Sequence, residues 1–282
     1  MKYLIFGKNG QLGEEFQKAL SNKNMKFLAL SHKECDISDL KKLREIFESY
    51  KPDVVINCAA YNYVDKAETD FWDSYKTNAL GVRNLSYLSK IYNCYFITYS
   101  TDYVFDGTKE EGLYTEGDTP NPLNEYGKSK LTGEKWVFEE DLNKYLILRT
   151  SWVYGEGKQN FIYKVLQWVE RNSYLKIAYD EISVPTSTRT IVEVTLKAIK
   201  QELSGLYHLT NSGYASRYEW AKKILELKGI KKFIYPVSKD IFDLPAKRPK
   251  FSAMDNGKIS SELGIEILRW DEELEALLKY KN

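Results

Sequence analysis

A tyrosine and a lysine separated by three residues, Tyr126 and Lys130 in the stretch NEYGKSKLTGEK, could carry acid–base chemistry. On a helix, residues at this spacing lie side by side, one turn apart. A phenol can give a proton to an oxygen that gains negative charge, and a nearby ammonium favours the tyrosinate that remains. The chain has 22 tyrosines, however, so the spacing alone carries little information. Tyr-x-x-x-Lys occurs four times, beginning at Tyr126, Tyr154, Tyr218 and Tyr235.

Sequence context distinguishes these four pairs. Tyr154 is followed by glycines, which are poor helix formers, and Tyr235 precedes a proline, which biases it towards extended backbone. Tyr218 lies on a plausible helix, but late in the chain and with no parallel-strand end before it. Only Tyr126 and Lys130 open a predicted helix soon after an apolar strand, where α/β sheets place their chemistry. They are therefore the candidate catalytic pair.

The elements that must position this pair alternate along the first half of the chain. Short apolar runs rich in β-branched residues predict strands over 2–6, 25–31, 53–60, 94–100 and 144–151. Apolar residues at helical spacing predict helices over 11–22, over 38–50 with Ser38 as N-cap, over 73–92 and from residue 125 onward. This order predicts an α/β fold with a Rossmann-type, doubly wound parallel sheet and helices on both faces.

The first turn, GKNGQLG, predicts a dinucleotide site. Gly7, Gly10 and Gly13 follow the first strand directly and open the first helix. Glycine permits a tight turn and lets the backbone approach a pyrophosphate. The helix start at Gln11 and Leu12 directs unpaired N–H groups towards that pyrophosphate.

The end of the second strand predicts which cofactor is preferred. A carboxylate there would bond the ribose 2′-OH of NADH, yet the strand ends with Ser31, His32 and Lys33. A hydroxyl and a lysine can instead hold a 2′-phosphate, so NADPH is predicted, with NADH tolerated. The alternative is that Lys33 is a solvated loop charge. Asp36 and Ile37 are candidates to flank the adenine.

The composition argues against several other kinds of protein. A formal net charge of +1 gives no electrostatic footprint for nucleic acid or a membrane surface. There is no run of 18 apolar residues, and the N-terminal run reaches glycine too early for a signal peptide. Three scattered cysteines indicate free thiols and a cytoplasmic location. With only two histidines, a His-based metal site is not expected.

These motifs together resemble a known family. The glycine turn, a Ser/Thr after the fourth strand and Tyr-x-x-x-Lys are similar to the extended short-chain dehydrogenase/reductase superfamily. Finer motifs resemble its dTDP-4-dehydrorhamnose reductase branch over nearly the whole chain. They are FGKNGQLG, NCAAYNYVDKAE, YSTDYVFDG, PLNEYGKSKLTGEK, LRTSWVYG and KRPKFSAMD.

The resemblance implies reduction of the C4 ketone of a nucleotide-linked 6-deoxyhexose by hydride from a nicotinamide. Tyr126 would protonate the ketone oxygen, and Thr101 would bond it. Lys130 would bond the nicotinamide ribose and, with the charge of the oxidised nicotinamide, lower the pKa of Tyr126 towards the working range.

Further site residues follow from the same resemblance. Asp102 would accept hydrogen bonds from sugar hydroxyls or, alternatively, cap a turn. Trp152 would contact the sugar or base, with a core tryptophan as the alternative. Arg248 would pair with the substrate diphosphate, or form a surface ion pair. Cofactor-lining residues would be Ala59, Ala60 and Tyr61.

The resemblance also implies a smaller C-terminal α/β domain that binds the nucleotide-sugar substrate, with the site in the cleft. Beyond residue 151 we expect helices over 160–172, 186–203, 216–229 and near 271–280, and a strand over 205–210. The predicted cofactor domain is 1–151 with a returning segment at about 186–212; the substrate domain is 152–185 and 213–282.

One departure from the family concerns oligomerisation. Some members are said to dimerise through a metal held by glutamates, one on the first helix and one after a Pro-Thr element. Glu14 and Glu15 are present here, but the later position is Thr188 or Arg189. A cation there opposes metal binding. We expect no metal, and a monomer or a dimer that no metal bridges.

Other functions within this fold stay open at this point. They include another nucleotide-sugar 4-ketoreductase or epimerase. They also include a non-catalytic regulatory subunit, although intact Thr101, Tyr126 and Lys130 favour an enzyme. A dehydratase is disfavoured because Tyr103 stands where the family's acid would be glutamate.

Overall fold

A parallel β-sheet with helices on both faces organises the computed structural model, which describes residues 1–279. The strands are β1 Lys2–Phe6, β2 Lys26–Leu30, β3 Val54–Asn57, β4 Tyr95–Thr101, β5 Tyr145–Thr150, β6 Val153–Tyr154, β7 Tyr174–Ala178, β8 Ile182–Ser183, β9 Thr186–Ser187, β10 Gly205–His208, β11 Ala215–Ser216 and β12 Phe233–Val237. The helices are α1 Gln11–Asn22, α2 Leu40–Tyr50, α3 Phe71–Tyr75, α4 Val82–Ile91, α5 Glu125–Glu139, α6 Phe161–Arg171, α7 Thr188–Lys200, α8 Arg217–Leu227, α9 Gly257–Leu263 and α10 Trp270–Lys279. Short 3₁₀ turns cover Lys66–Glu68, Asp102–Val104 and Lys239–Ile241, and a π-helical turn covers Lys76–Gly81.

Six strands form the main sheet in the order β10-β5-β4-β3-β1-β2, and every neighbouring pair is parallel. All six therefore end at the same edge, and residues that follow them meet there. The central strands β1, β3 and β4 are buried on both faces, which explains their continuous apolar runs. The predicted Rossmann-type fold is confirmed.

Helices cover each face of this sheet with its own apolar core. One face packs against α1, α7 and α9 through residues such as Phe16, Ile191 and Ile259. The other packs against α2, α4 and α5 through Leu43, Leu85 and Val137. This two-sided burial fixes the sheet edge on which the candidate site lies.

A third apolar core belongs to the C-terminal part of the chain. It joins α6, α8 and α10 to short strands, with Trp220 at its centre. The segment between its two halves returns to the main sheet, where α7 packs on α1 and β10 pairs with β5. The domain division proposed from sequence stays a prediction. Residues 280–282 of the predicted substrate domain lie outside the described residues, and they include the last residue of the helix expected near 271–280.

Several sequence-based boundaries differ from the structure. Ser38 is not the N-cap of α2, because Asp39 accepts the hydrogen bond from the Lys42 N–H at 3.0 Å. The third strand stops at Asn57 rather than at residue 60, since the Asn57 side chain accepts from the Ala59 N–H and turns the chain out of the sheet. The apolar residues beyond it line a cavity instead.

The helix predicted over 73–92 begins at Phe71 and is interrupted by the π-helical turn Lys76–Gly81. In that turn Asn78 bonds the backbone of Tyr61 in both directions, at 2.9 and 3.0 Å. Sequence reasoning missed α9 and β12, both in or beside the proline-containing stretch near the C-terminus. Among residues 1–279, no helix combines the length and apolar character that crossing a bilayer requires.

Candidate active site

A cavity of about 1100 Å³ opens at the carboxyl edge of the sheet, between the sheet and the C-terminal core. Parallel strands place ligand sites at this edge. Its wall includes the start of α1, the segment after β3, the ends of β4 and β5, and parts of α5, α6 and α8. Residues more than 100 positions apart in sequence therefore share one site.

Tyr126 and Lys130 lie on the first turns of α5, and both line this cavity. Asn124 fixes the start of the helix, because its side chain accepts a hydrogen bond from the Gly127 N–H at 2.8 Å. The Lys130 ammonium donates to the carbonyl oxygen of Tyr99 on β4. The helix start and this contact hold both groups over the end of β4.

The protonation of this pair differs from the expectation. Burial raises the pKa of Tyr126 to about 12, and a hydrogen bond with Thr101 opposes the shift. Burial lowers the pKa of Lys130 to about 8, against the opposing charge of Glu134. The expected lowering of the Tyr126 pKa by Lys130 is therefore wrong for the protein by itself, because burial outweighs the ammonium. The phenol is neutral, which is the form that can donate a proton.

Thr101 ends β4 beside this pair and also lines the cavity. Its hydroxyl donates to Asp102 at 3.1 Å and accepts from the Tyr103 N–H at 3.2 Å. These bonds orient the hydroxyl oxygen. Thr101, Tyr126 and Lys130 are thus brought together, and their catalytic roles stay predictions.

Asp102 is buried, with its carboxylate held by the chain's own hydroxyls. Ser183 and Ser252 donate to one oxygen at 2.7 and 2.6 Å, and Thr101 donates to the other. Burial raises the pKa of Asp102 to about 6, and these three hydrogen bonds oppose that shift. The carboxylate therefore joins β4 to two distant segments, and the predicted contact with sugar hydroxyls stays untested.

The glycine turn is built for close backbone approach. Gly7 has φ +85°, and a Cβ there would lie 2.7 Å from the Ala59 nitrogen. A Cβ on Gly13 would lie 2.3 Å from the Gly7 carbonyl oxygen. The two glycines therefore let the turn pack closely against the segment after β3 and against α1, whose N-terminus lines the cavity and suits a pyrophosphate. Cavity-lining residues here are Gly10, Gln11, Leu12, Ala59 and Ala60.

Tyr61, also predicted to line the cofactor, lies apart from this cradle. Its ring packs edge-on against Tyr63, with 5.6 Å between the ring centroids. Its backbone N–H donates to the Asn78 side chain, and its carbonyl oxygen accepts from the same side chain. The small residues before it are those that face the cavity.

The end of β2 carries a carboxylate that sequence reasoning missed. Glu34 folds back so that Ser31 donates to it from both its N–H and its hydroxyl, at 2.8 and 2.6 Å. Lys8 donates to the other oxygen at 2.7 Å. The expectation that no carboxylate occupies this strand end is wrong. Lys33 is exposed on the same turn.

Asp36 and Ile37, the candidates to flank the adenine, have partners within the fold. Asp36 accepts from the N–H and hydroxyl of Ser38 and pairs with Lys76 at 3.2 Å. Ile37 is 3% exposed and packs against Gly81. Their role at the adenine stays a prediction.

Trp152 forms part of both the cavity wall and the C-terminal core. It has φ 43° and stacks on Trp220, with ring centroids 5.6 Å apart and an interplanar angle of 11°. The Arg217 guanidinium lies 3.6 Å from the Trp152 ring centroid and bonds Glu181. Trp152 is therefore a core tryptophan that also lines the cavity, and its contact with the substrate stays a prediction.

Sequence reasoning missed Arg217 and Glu181, which line the cavity near Trp152. Nothing in the local sequence marks them, since Arg217 is simply the first residue of an amphipathic helix with a Ser216 capping box. They become site residues only because α8 packs against β7 and β11 in the C-terminal core.

Arg248 also reaches the cavity wall, but it already has an anionic partner. Its guanidinium donates to both oxygens of Asp65, at 2.9 and 2.7 Å. A substrate diphosphate would share or replace this partner. The predicted diphosphate contact stays a prediction.

Arg189, the cation that we expected to oppose metal binding, forms an ion pair. Arg189 donates to both oxygens of Glu273, at 3.0 and 2.6 Å, and Ser187 donates to the same carboxylate. Among residues 1–279, no three His, Cys, Asp or Glu side chains converge as a metal site would require. The oligomeric state stays a prediction.

Comparisons with known proteins show the family to which the chain belongs. The family model described as "RmlD substrate binding domain" matches residues 1–282. The spore coat polysaccharide biosynthesis protein SpsK of Bacillus subtilis (strain 168) is 34% identical over 281 residues, which cover 100% of this chain and 98% of that protein.

Two solved structures are similar over nearly their whole length. A dTDP-4-dehydrorhamnose reductase from Clostridium acetobutylicum ATCC 824 has a TM-score of 0.95 and 39% identity, covering 99% of each chain. The dTDP-4-dehydrorhamnose reductase from Bacillus anthracis str. Ames, solved in complex with NADP, has a TM-score of 0.94 and 34% identity, also covering 99% of each chain. The resemblance read from the motifs is confirmed, and the chain belongs to the RmlD substrate binding domain family.

Proposed function

We propose that this protein reduces the C4 ketone of a nucleotide-linked 6-deoxyhexose, converting dTDP-4-dehydro-L-rhamnose to dTDP-L-rhamnose. The observation that carries the proposal is the convergence of Thr101, Tyr126 and Lys130 on a cavity that also contains the glycine turn. Family membership supports it, as do similar structures that are named dTDP-4-dehydrorhamnose reductase.

A bound reduced nicotinamide dinucleotide supplies hydride to the carbonyl carbon. Gly10, Gln11 and Leu12 at the start of α1 would hold its pyrophosphate, and Gly7 and Gly13 allow the close backbone packing that forms this turn. We assign NADPH as the cofactor, with NADH accepted, and the complex of the Bacillus anthracis relative with NADP supports that choice.

The proton goes to the ketone oxygen from the Tyr126 hydroxyl. Burial keeps this phenol neutral, so it holds a proton to give as negative charge develops on the oxygen. The Lys130 ammonium then favours the tyrosinate that is left, and it bonds the nicotinamide ribose. Thr101 bonds the ketone oxygen, a kind of contact that is typically worth about 10²–10³ in rate.

The C-terminal side of the cavity would bind the rest of the substrate. Trp152 lines the cavity, and the Arg217 guanidinium, with Glu181 as its partner, lies over the Trp152 ring. Arg248 provides a second guanidinium near Asp65. We assign the sugar to the region of Trp152 and Asp102, and the diphosphate to Arg248.

The test mixes the purified protein with NADPH and dTDP-4-dehydro-L-rhamnose and follows the absorbance of the reduced cofactor. We expect oxidation of NADPH in step with the sugar, and NMR of the product should show the rhamnose configuration at C4. A 6-deoxytalose product would instead indicate a ketoreductase of the other stereochemistry. Cofactor binding without oxidation would support a regulatory subunit.

A further inference from the structure

A buried ion pair lies one helical turn beyond Lys130. Glu134 on α5 and Arg149 on β5 are each 2% exposed. The Arg149 guanidinium donates to both carboxylate oxygens, from Nε at 3.0 Å and from Nη2 at 2.7 Å. Two parallel bonds of this kind fix the direction of both side chains. The pair therefore fastens α5 to the strand beside β4.

The neighbours of Arg149 around this pair are uncharged. Its guanidinium carbon lies 5.2 Å from the Phe105 ring centroid, and its register partners on the adjacent strands are Ser100 and His208. Burial, and then the charge of Arg149, lower the pKa of His208 to about 3, so the imidazole is neutral. A buried ion pair often stabilises a protein no better than apolar residues of similar volume would. Stability alone therefore does not account for this pair.

Glu134 also lies beside Lys130 on α5. Residues four apart on a helix share a face, with about 5–6 Å between their Cβ atoms. Lys130 is buried as well, and its ammonium donates to the carbonyl oxygen of Tyr99 on β4. Arg149 pairs across the ladder with the next residue of β4. The carboxylate of Glu134 thus lies between two cations, one on its own helix and one on the sheet below.

The other groups near Lys130 leave Glu134 as its neighbouring anion. Titratable residues that share this part of the cavity wall are Cys58, Tyr99, Asp102, Tyr103 and Tyr126. Burial raises the pKa of the thiol and of the three phenols, so these groups are neutral. The Asp102 carboxylate is already bonded by three hydroxyls.

The elements that cover α5 from the other side direct their charges away from it. The charged side chains of α3, α4, the π-helical turn and the 3₁₀ turn before α3 that are exposed are Lys66, Asp73, Lys76, Arg83 and Lys90. Glu68, in the same 3₁₀ turn, accepts from the Glu125 N–H at the start of α5, at 2.9 Å. Burial lowers the pKa of Lys130 to about 8, and the charge of Glu134 opposes that shift.

We propose that Glu134, held by Arg149, is a positioning residue for Lys130. The ion pair sets how α5 lies on β4 and β5, so that Lys130 reaches the Tyr99 carbonyl oxygen and the cavity. The Glu134 carboxylate keeps the buried ammonium protonated. The inference rests on the proposed function in that Lys130 there favours the tyrosinate of Tyr126 and bonds the cofactor.

The first measurement is the titration of Lys130 in the whole protein, by NMR with ¹³C at the lysine Cε. The signal is assigned by its absence from Lys130→Met. Lys130 should titrate at about pH 8 in the wild type. In Glu134→Gln it should titrate about one pH unit lower, a tenfold change in acidity, because an adjacent opposite charge is lost. Arg149→Lys keeps both charges and should titrate close to the wild type.

Glu273→Gln is the matched control. Glu273 is also 2% exposed and also accepts two bonds from one guanidinium, that of Arg189. Both variants lose a buried carboxylate and should melt at a lower temperature, but only Glu134→Gln should move the titration of Lys130. An unchanged titration in Glu134→Gln, or an equal change in Glu273→Gln, would overturn the inference.

A double variant serves if Glu134→Gln does not fold. Glu134→Leu combined with Arg149→Met replaces the pair by apolar side chains, a change that buried ion pairs commonly tolerate. Lys130 should again titrate at lower pH, since the charge of Glu134 is the one that opposes burial. A wild-type titration in the folded double variant would show that the pair is structural only.

Turnover gives a second readout that a structural role would not move. In Glu134→Gln, the alkaline fall of kcat should begin about one pH unit lower than in the wild type. A kcat lowered by the same factor at every pH would contradict the role of the charge. Because the NMR titration needs no substrate, a protein that shows the expected shift but reduces no sugar would contradict the proposed function only. A protein that reduces the sugar while Glu134→Gln leaves Lys130 unmoved would contradict this inference only.

Discussion

At the scale of single residues, burial decides the protonation states in the site. The hydroxyl of Tyr126 and the ammonium of Lys130 are both moved towards their neutral forms, by the same loss of solvation. Sequence alone suggested the opposite shift for the tyrosine, because spacing reveals the neighbouring charge but not the desolvation. A neutral phenol is nevertheless the proton donor that the proposed reaction needs.

Replacing Tyr126 by phenylalanine should lower kcat by about 10²–10⁴, the usual worth of general acid catalysis, while cofactor affinity stays near that of the wild type. The matched control is Tyr218→Phe, which removes a hydroxyl from another Tyr-x-x-x-Lys pair, away from the cavity wall. Steady-state kinetics on both variants would check this. Equal kcat values for the two variants would contradict the assignment of Tyr126.

A second residue-scale prediction concerns Asp102 and pH. Its pKa is about 6 in the folded protein, above the ordinary value of 3.8, so the folded state binds more protons than the unfolded state between these values. The contribution of this group to stability is therefore fully present below about pH 4 and is lost as pH rises through 6. Over that window the loss amounts to about 3 kcal/mol.

Urea unfolding of the wild type and of Asp102→Asn at several pH values checks this. The free energy of unfolding of the wild type should fall relative to the variant as pH rises from 4 to 7. A difference between the two proteins that does not change with pH would show that Asp102 titrates normally.

At the scale of elements, the position of α5 depends on close backbone contact. A Cβ on Gly133 would lie 2.3 Å from the carbonyl oxygen of Asn78, in the π-helical turn before α4. The absence of a side chain thus lets α5 approach the segment that holds the Tyr61 backbone. Helix propensity by itself would favour alanine at this position by about 1 kcal/mol.

Gly133→Ala should therefore destabilise the protein by about 1–3 kcal/mol, as overpacking does, although propensity predicts a gain. Gly117→Ala is the control, because the nearest atom to its Cβ is a threonine hydroxyl at 3.9 Å and its substitution should be nearly neutral. Chemical denaturation of both variants measures the difference. A stabilised Gly133→Ala variant would mean that α5 can move away without cost.

At the scale of the whole molecule, the site is assembled from the sheet edge and the C-terminal core. Asp102, at the end of β4, is bonded by Ser183 and Ser252, which lie 81 and 150 residues further along the chain. The same carboxylate orients Thr101. The relative position of the two cavity walls and the orientation of a proposed catalytic hydroxyl are therefore linked.

The ion pair between Arg189 and Glu273 leads to a prediction about assembly. Both carboxylate oxygens of Glu273 are engaged by the guanidinium, and a fixed cation there opposes a divalent metal. Dialysis against EDTA should leave both the NADPH-dependent activity and the mass from light scattering unchanged. Loss of activity that magnesium restores would contradict the prediction.

The amino-acid sequence by itself determined the parallel α/β sheet and the glycine turn, and it distinguished Tyr126 and Lys130 as the candidate catalytic pair. These features follow from the periodicity of apolar residues and from short spacings in the sequence. Such patterns indicate local structure directly, because the geometry of helices and strands determines which residues are buried on one face. Sequence also located most helices and strands to within a few residues. It misplaced the α2 cap and the end of β3, where a side-chain hydrogen bond rather than a hydrophobic pattern ends the element.

Only the tertiary structure decided which distant groups meet. The contact of Arg217 with Trp152, the bonds from Ser183 and Ser252 to Asp102, and the pairing of Lys8 with Glu34 join residues 26 to 150 positions apart. No local pattern encodes such contacts, because they arise when separate apolar faces are buried together. The same packing sets the desolvation of Tyr126 and Lys130, so it fixes protonation as well as position.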